Sequence, residues 1–438
     1  MNIEMFKLSF KSLIKNTNQT SSLSNGIKLF SFGSGWCGQL GLGDKVVEQF
    51  TPKQIEFDKD IILTENDKIK TGSYHALLVK DNSIHVWGEN KFGQLGLGNF
   101  INHFKPIENK LIFQQQQQQQ QGKEEEIKIE NVECGSFHTI ISTNNNKTYS
   151  FGWNSRIQCG HIPNNNNKDS IVETINQPKE IEILKGKKVN AISCGFDFSI
   201  VSTVDNGVYI FGMNDRGQCN GILPSSSSSS SSSSGKLIIE PIENKSLNNI
   251  EIKKLSSGWG HTLLLTSDGE LLSWGSNQHG QCGTGIKTKV SPITKIKIPN
   301  NLKVLDISCG SCVSAAILSD NNVYIWGSSG DGKLGLGSNQ KDDLLIPTLL
   351  NTLTNSTGTR HISFGSDHCV SLPINENGNG IFYGWGFGQH GCLGFGDSID
   401  QLKVYSIPEK NEFFQKNNFK ILNMKSSIDT TFSLVSSK

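Results

Sequence analysis

The stretch FGQLGLG, Phe92–Gly98, holds three glycines and two leucines in seven residues. A glycine-rich turn of this kind either cradles a phosphate or belongs to a repeated architecture. Recurrence decides between them. Versions of the stretch appear as CGQLGLG (Cys37–Gly43), IQCGH (Ile157–His161), GQCNG (Gly217–Gly221), GQCGTG (Gly280–Gly285), GKLGLG (Gly332–Gly337) and GCLGFG (Gly391–Gly396). Each follows a short apolar strand that ends in Trp-Gly or Phe-Gly: LFSFG, IHVWG, TYSFG, VYIFG, LLSWG, VYIWG and FYGWG. The marker glycines are Gly33, Gly88, Gly152, Gly212, Gly275, Gly327 and Gly386, spaced 52 to 64 residues apart. The longer spacings contain low-complexity inserts: a glutamine tract (Gln114–Gln121) and a serine tract (Ser225–Ser234).

A third element completes the unit. After a proline (Pro52, Pro106, Pro178, Pro241, Pro292, Pro347, Pro408) comes GSYHALLV (Gly72–Val79), GSFHTIIS, GFDFSIVS, GWGHTLLL, GSCVSAAI or GSDHCVSL. The seventh copy, SSIDTTFSLV (Ser426–Val435), is worn. Ser426 is read there in the glycine column and Asp429 in the histidine column. Seven short-strand units without a helical period predict an all-β, seven-bladed β-propeller, because a blade buries its faces only against its neighbours. Turns such as SDG (Ser267–Gly269) and DNG (Asp205–Gly207) join the histidine strand of one copy to the Trp-Gly strand of the next, with Asp and Gly supplying positive φ. The first Trp-Gly strand, Leu29–Phe32, and the last histidine strand, Thr430–Val435, are then left over. They are expected to pair and close the ring. The propeller is placed at residues 28–436, with insertions at 114–126 and 225–235 and a leader at 1–27.

Composition narrows the function. Lys and Arg number 41 against 40 Asp and Glu, a formal net charge of +1, which gives no global pull on nucleic acid or anionic lipid. Arginine is confined to Arg156, Arg216 and Arg360, so bidentate phosphate or base readout is poorly supplied, and sequence-specific nucleic-acid binding is not expected. No apolar run approaches the ~18 residues of a membrane span. The ten dispersed cysteines fit a reduced chain rather than a disulfide scaffold.

The combined elements resemble the regulator of chromosome condensation repeat family from about Leu29 onward. The resemblance implies a seven-bladed propeller. It also implies one of several roles: exchange factor for the Ran GTPase, ubiquitin-ligase module, ultraviolet-B photoreceptor, mitochondrial protein or interaction scaffold. In the exchange factor, acidic and histidine side chains just before the recurring histidine contact the GTPase. Those positions here hold Tyr74, Phe137, Asp197, Gly260, Cys312 and Asp367. Asp197 and Asp367 are therefore the candidate partner-binding residues. The founding member's basic tail is absent, which argues against a chromatin role. The photoreceptor's Trp–Arg pairing is not reproduced in GWGHT (Gly258–Thr262), where Gly260 stands in the arginine position. No ligase domain is expected after the last strand.

Enzymatic motifs fare poorly. GSGWCG (Gly33–Gly38) fits G-x-G-x-x-G, but the following QLGLGD is a poor start for the helix that would hold a pyrophosphate. His75, His138, His261 and His368 share one column, which gives a spaced ring rather than a metal cluster; each is expected to bond its own blade's backbone. Cys309 and Cys312 form half a zinc motif with no second pair. No catalytic residue, metal or cofactor is expected. The expected function is a monomeric, non-catalytic interaction propeller with a protein partner. A guanine nucleotide exchange factor for a Ran- or Rab-like small GTPase is the alternative. MFKLSFKSLIK (Met5–Lys15) has lysines at helical spacing beside an apolar arc, loosely like a mitochondrial transit peptide. The expected location is cytoplasmic, with mitochondrial targeting through this leader as the alternative.

Overall fold

A computed structural model describes residues 26–58, 61–80, 83–112, 126–162, 174–219, 237–353, 358–374, 380–405 and 412–437. Residues 1–25 of the leader and almost all of the glutamine and serine inserts lie outside the described residues. The described strands form seven four-stranded antiparallel sheets. Blade 1 illustrates the unit, with strands Lys68–Thr71, His75–Lys80, Ser83–Gly88 and His103–Glu108 from the axis outward. Blades 2 to 6 repeat it along the chain. Their inner strands are Ile129–Cys134, Val189–Cys194, Ile252–Ser257, Val304–Cys309 and Thr359–Phe364. Blade 7 is assembled from both chain ends: Phe419–Ser426 and Thr430–Ser437 from one, Ile27–Ser34 and Glu48–Gln54 from the other. The closing register runs from Ile27 opposite Ser436 to Gly33 opposite Thr430, which is the pairing the leftover strands predicted.

That register corrects the reading of the worn copy by one residue. Gly72 N donates to His75 O, and its counterparts do the same in blades 2 to 6; in blade 7 the bond runs from Ser427 N to Thr430 O. Ser427 and Thr430, not Ser426 and Asp429, therefore occupy the glycine and histidine columns. Asp429 moves into the column that holds Asp197 and Asp367.

The blades adhere through one recurring seam. Leu95 from the opening stretch is fully buried with Val86 of its own blade and Ile141 and Phe151 of the next. Gly96 has φ +67°, and a Cβ there would lie 2.9 Å from the Phe151 ring, so both backbone and packing require glycine. The histidines also belong to the seam. His75 Nε2 lies 3.0 Å from Thr139 Oγ1, His138 Nε2 2.8 Å from Ser199 Oγ, His261 Nε2 2.8 Å from Ser314 Oγ, and His368 Nε2 2.9 Å from Thr431 Oγ1. Each bonds the hydroxyl of the neighbouring blade rather than its own backbone. Each hydroxyl in turn donates to a carbonyl of the glycine-rich loop: Gln94, Gln158, Gln281 and Cys392. A hydroxyl has one proton, so the histidine must be the donor through Nε2–H. Indoles reinforce the seam, with Trp87, Trp274, Trp326 and Trp385 Nε1 donating at 2.9 Å to the carbonyls of Gln39, Gln218, Gln281 and Lys333.

The turns between second and third strands differ slightly from expectation. Positive φ falls on Asn146, Asn206 and Asn321 in three of them, and on Gly269 in SDG. Asn tolerates the left-handed region, so the Gly of DNG is not the strained residue.

Candidate functional face

In every blade the turn from first to second strand and the loop from third to fourth emerge on one face, here the upper face. The turns from second to third strand emerge on the lower. The upper face carries the column before the recurring histidine: Tyr74, Phe137, Asp197, Gly260, Cys312, Asp367 and, with the corrected register, Asp429. The marker glycines close this end of each blade. Gly88 and Gly152 have φ +101° and +114°, with the backbone of His75 or His138 where a side chain would go.

Aromatic rings crowd blades 1 to 4. Tyr74 and Phe137 have centroids 6.1 Å apart, Phe137 and Phe196 6.3 Å, and Phe196 and Trp259 5.4 Å. Phe92 and Trp153 join the same row through Phe137, at 5.2 and 6.1 Å. These are edge or tilted contacts, the favourable geometry for aromatic pairs. Lys91 Nζ lies 5.0 Å from the centroid of the Phe92 ring and 5.4 Å from that of Phe137. Trp259 is 41% exposed, and Trp36, in a blade 7 loop, 64%. This arc is not visible in the sequence when the column is taken one residue at a time. Phe196 and Trp259 sit one position earlier than Tyr74 and Phe137, so the rings align only when neighbouring blades are compared.

Asp197 and Asp367 share a face but lie three blades apart, so they do not form one site. Asp197 is largely buried. Burial, then neighbouring Asp215, pushes its carboxyl up to about 6, against the pull of Arg156 and Arg216. The Arg216 stem crosses the space above Gly260, where a Cβ would lie 3.1 Å from Arg216 Cδ. Asp367 is committed elsewhere. It pairs with Lys333, which is buried, and accepts from Ser311 Oγ at 2.9 Å and Ser366 Oγ at 2.7 Å. Burial alone would raise this carboxyl, but the Lys333 ammonium and the two hydroxyls outweigh it and hold it below the usual range. Asp429, on the adjoining blade, is pushed up by burial and by Asp367, with His390 opposing. Aligning TTFSLV (Thr430–Val435) on HTLLLT (His261–Thr266) would have found it, because Thr431 supplies the hydroxyl that follows the histidine column.

Among the described residues no three His, Cys, Asp or Glu side chains converge on a metal position. The ten cysteines are free thiols, and the seam thiols Cys219 and Cys392 are pushed well above their ordinary range by burial. No described helix is long and apolar enough to cross a membrane.

A ring of seven blades packed face to face, with an elaborated rim of loops at one end, defines a propeller of the interaction-module class. The chain belongs to the regulator of chromosome condensation (RCC1) repeat family: the repeat matches residues 28–79, 81–142, 145–202, 268–317, 320–372 and 379–434. A second form of the same repeat matches 129–158, 189–218, 252–281 and 304–333. The chain is 30% identical over 332 residues to the ultraviolet-B receptor UVR8 of Arabidopsis thaliana, covering 75% of this chain and 67% of that protein. It is 28% identical over 397 residues to a secretion-regulating guanine nucleotide exchange factor of Bos taurus, covering 87% and 78%. Among solved structures, Prp20p of Saccharomyces cerevisiae, studied with its binding to Gsp1p and histones, superposes with TM-score 0.76 at 21% identity. That match covers 95% of this chain and 92% of the other.

Proposed function

We propose that this propeller is a non-catalytic regulator or scaffold that binds a protein partner through the loops of its upper face. The carrying observation is the aromatic arc from Tyr74 to Trp259, with Trp259 exposed and cationic Lys91 and Arg216 beside it. Large rigid rings flanked by arginine are the composition of interface hot spots. A photo-crosslinking residue at position 259, compared with one at the exposed lower-face Val204, tests the reading in cells. Discrete adducts from 259 and none from 204 support it; adducts from 204 alone would move the interface to the other face.

A second reading is favoured by the similarity to the bovine exchange factor over most of both chains. In it the upper face engages a Ran- or Rab-like small GTPase and loosens its nucleotide, with Asp197 and Asp367 as contacts. Release of fluorescent GDP from a GTPase panel tests this. Acceleration that is lost in Asp197→Ala at undiminished thermal stability supports exchange, and no acceleration with any GTPase leaves the scaffold. Asp367→Ala is interpretable only beside a folding control, since Asp367 holds Lys333. We place the protein in the cytoplasm. A tagged chain that co-fractionates with mitochondria and loses its N-terminus would favour the leader's targeting role instead.

A further inference from the structure

The propeller axis is an open channel of about 380 Å³, lined by all seven inner strands and reaching the upper rim at Phe196 and Trp259. Its charges are not balanced. One level of the channel is set by the residue two before the glycine column: Lys70, Glu133, Ser193, Ser256, Ser308, Ser363 and Lys425. Lys70 pairs with Glu133 on the next blade. Toward the lower end, Lys254 pairs with Asp306 at 2.5 Å, and Lys68 reaches the Glu130 carbonyl at 3.4 Å. His361 donates from Nε2 to the Met424 carbonyl at 2.7 Å and is neutral, burial having lowered it to about 4. The Lys425 side chain has no hydrogen-bond or ion-pair partner among the described residues, its backbone being paired opposite Phe432. Burial disfavours its charge, Glu133 favours it, and Lys70 and Lys254 oppose it.

Hydroxyls line the channel at this level on the two preceding blades. Ser363 Oγ accepts from Ser426 N at 3.0 Å, and Ser308 Oγ accepts from Phe364 N at 3.2 Å. These bonds stitch neighbouring inner strands and use oxygen lone pairs only. Both hydroxyl protons are left over, with no acceptor among the described residues. Ser308, Ser363, Lys425 and Lys70 stand on consecutive blades, so one side of the channel offers donors and cations with a single acid, Glu133, already engaged. A lone ammonium in a narrow protein-walled tube is costly without a counter-charge.

We propose that the axial channel binds a small oxyanion of the phosphate class, held by Lys425 and the Ser308 and Ser363 hydroxyls. Lys70 contributes charge from the adjoining blade. The anion completes a donor set that the protein leaves one charge short, as charge-assisted bonds to a tetrahedral oxyanion require.

Titration calorimetry and thermal melts of the full chain test this with inorganic phosphate against sodium chloride at matched ionic strength. The wild type should bind phosphate and melt higher in it than in chloride. Lys425→Met should weaken phosphate at least about tenfold, the loss of one near charge-assisted contact. Glu133→Gln removes the competing acid and frees Lys70, so it should tighten phosphate by about threefold or more. That opposite sign keeps the test decisive even where Lys425→Met folds poorly. Equal responses to phosphate and chloride, or Glu133→Gln weakening phosphate, would overturn the proposal.

Discussion

The upper rim divides into two arcs raised on the same strands. Blades 1 to 4 present rings: Tyr74, Phe137, Phe196 and Trp259 in a row of edge and tilted contacts. Blades 5 to 7 present small and acidic groups: Ser311 and Cys312, Ser366 and Asp367, then Asp429. Asp197 falls inside the aromatic arc, and its contrast with Asp367 shows how little a column position alone determines. Asp367 has a buried lysine and two hydroxyls and is held ionised. Asp197 has arginines at a distance, Asp215 as a like neighbour and a carboxyl pushed up to about 6. One aspartate belongs to the fold; the other is kept at a cost to it.

The largest expected effect lies on the acidic side. Asp367→Ala leaves the Lys333 ammonium, which is 7% exposed, with only the longer 3.5 Å contact to the exposed Asp331, while the Asp367 side chain itself is 30% exposed. Breaking such a pair costs about 2–4 kcal/mol after allowance for that exposure. Urea unfolding at pH 7 checks it. Because the folded carboxyl titrates below its unfolded value, this stabilisation is present above the ordinary Asp range and is lost as pH falls through the folded value. A cost under about 0.5 kcal/mol would erase the distinction between the two aspartates.

Asp197→Asn should act with the opposite sign. A folded pKa of about 6 against 3.8 means the folded state holds its proton longer. The fold is therefore favoured below the ordinary Asp range and loses that advantage as pH rises through about 6. Removing the charge should stabilise the protein at pH 7.5 by about 1–3 kcal/mol, with the gain disappearing below about pH 4. Melting curves across that range decide it; destabilisation at pH 7.5 would mean that the carboxylate anchors Arg156 and Arg216.

Beneath the rim the arcs rest on the same histidine seam, and this sharpens the comparison. Burial lowers His138, on the aromatic side, to about 3; His368, beside Asp367, is lowered only to about 4. A histidine depressed in the fold withholds a proton that the unfolded chain takes up. Stability is then lost as pH falls below about 6.5, by roughly 1.4 kcal/mol per pH unit for each histidine. Phenylalanine already fills this column at Phe198, so His138→Phe and His368→Phe are the variants to use. Each should flatten the acid limb by one proton, His138→Phe over the wider pH range.

The seam also marks what the sequence made legible. Seven marker glycines and the GQLGLG turns announce blades and ring closure, because positive φ and close packing leave no alternative residue. The partner of each histidine was not legible, because the hydroxyl that receives it comes from the next blade, some sixty residues away. Neither was the register of blade 7, where SSIDTT lacks both glycine and histidine and only Thr431 preserves the seam. The aromatic arc and the uncompensated Lys425 arise from comparing neighbouring blades at one level, which a linear column of residues does not display.

The smallest effect on stability should come from Trp259, and it bears most directly on function. The ring is 41% exposed and touches Phe196 at 5.4 Å. Trp259→Ala should cost the fold under about 1 kcal/mol, the range of one partly solvated aromatic contact. If the aromatic arc is the docking surface, the same change should weaken the crosslinked partner by about 2 kcal/mol or more, a hot-spot loss. Asp429→Asn, on the other arc, should leave that affinity within about 0.5 kcal/mol. Affinity measured for both variants therefore separates the arcs. Loss at Asp429 with none at Trp259 would assign the partner to the acidic side and leave the aromatic row as rim packing.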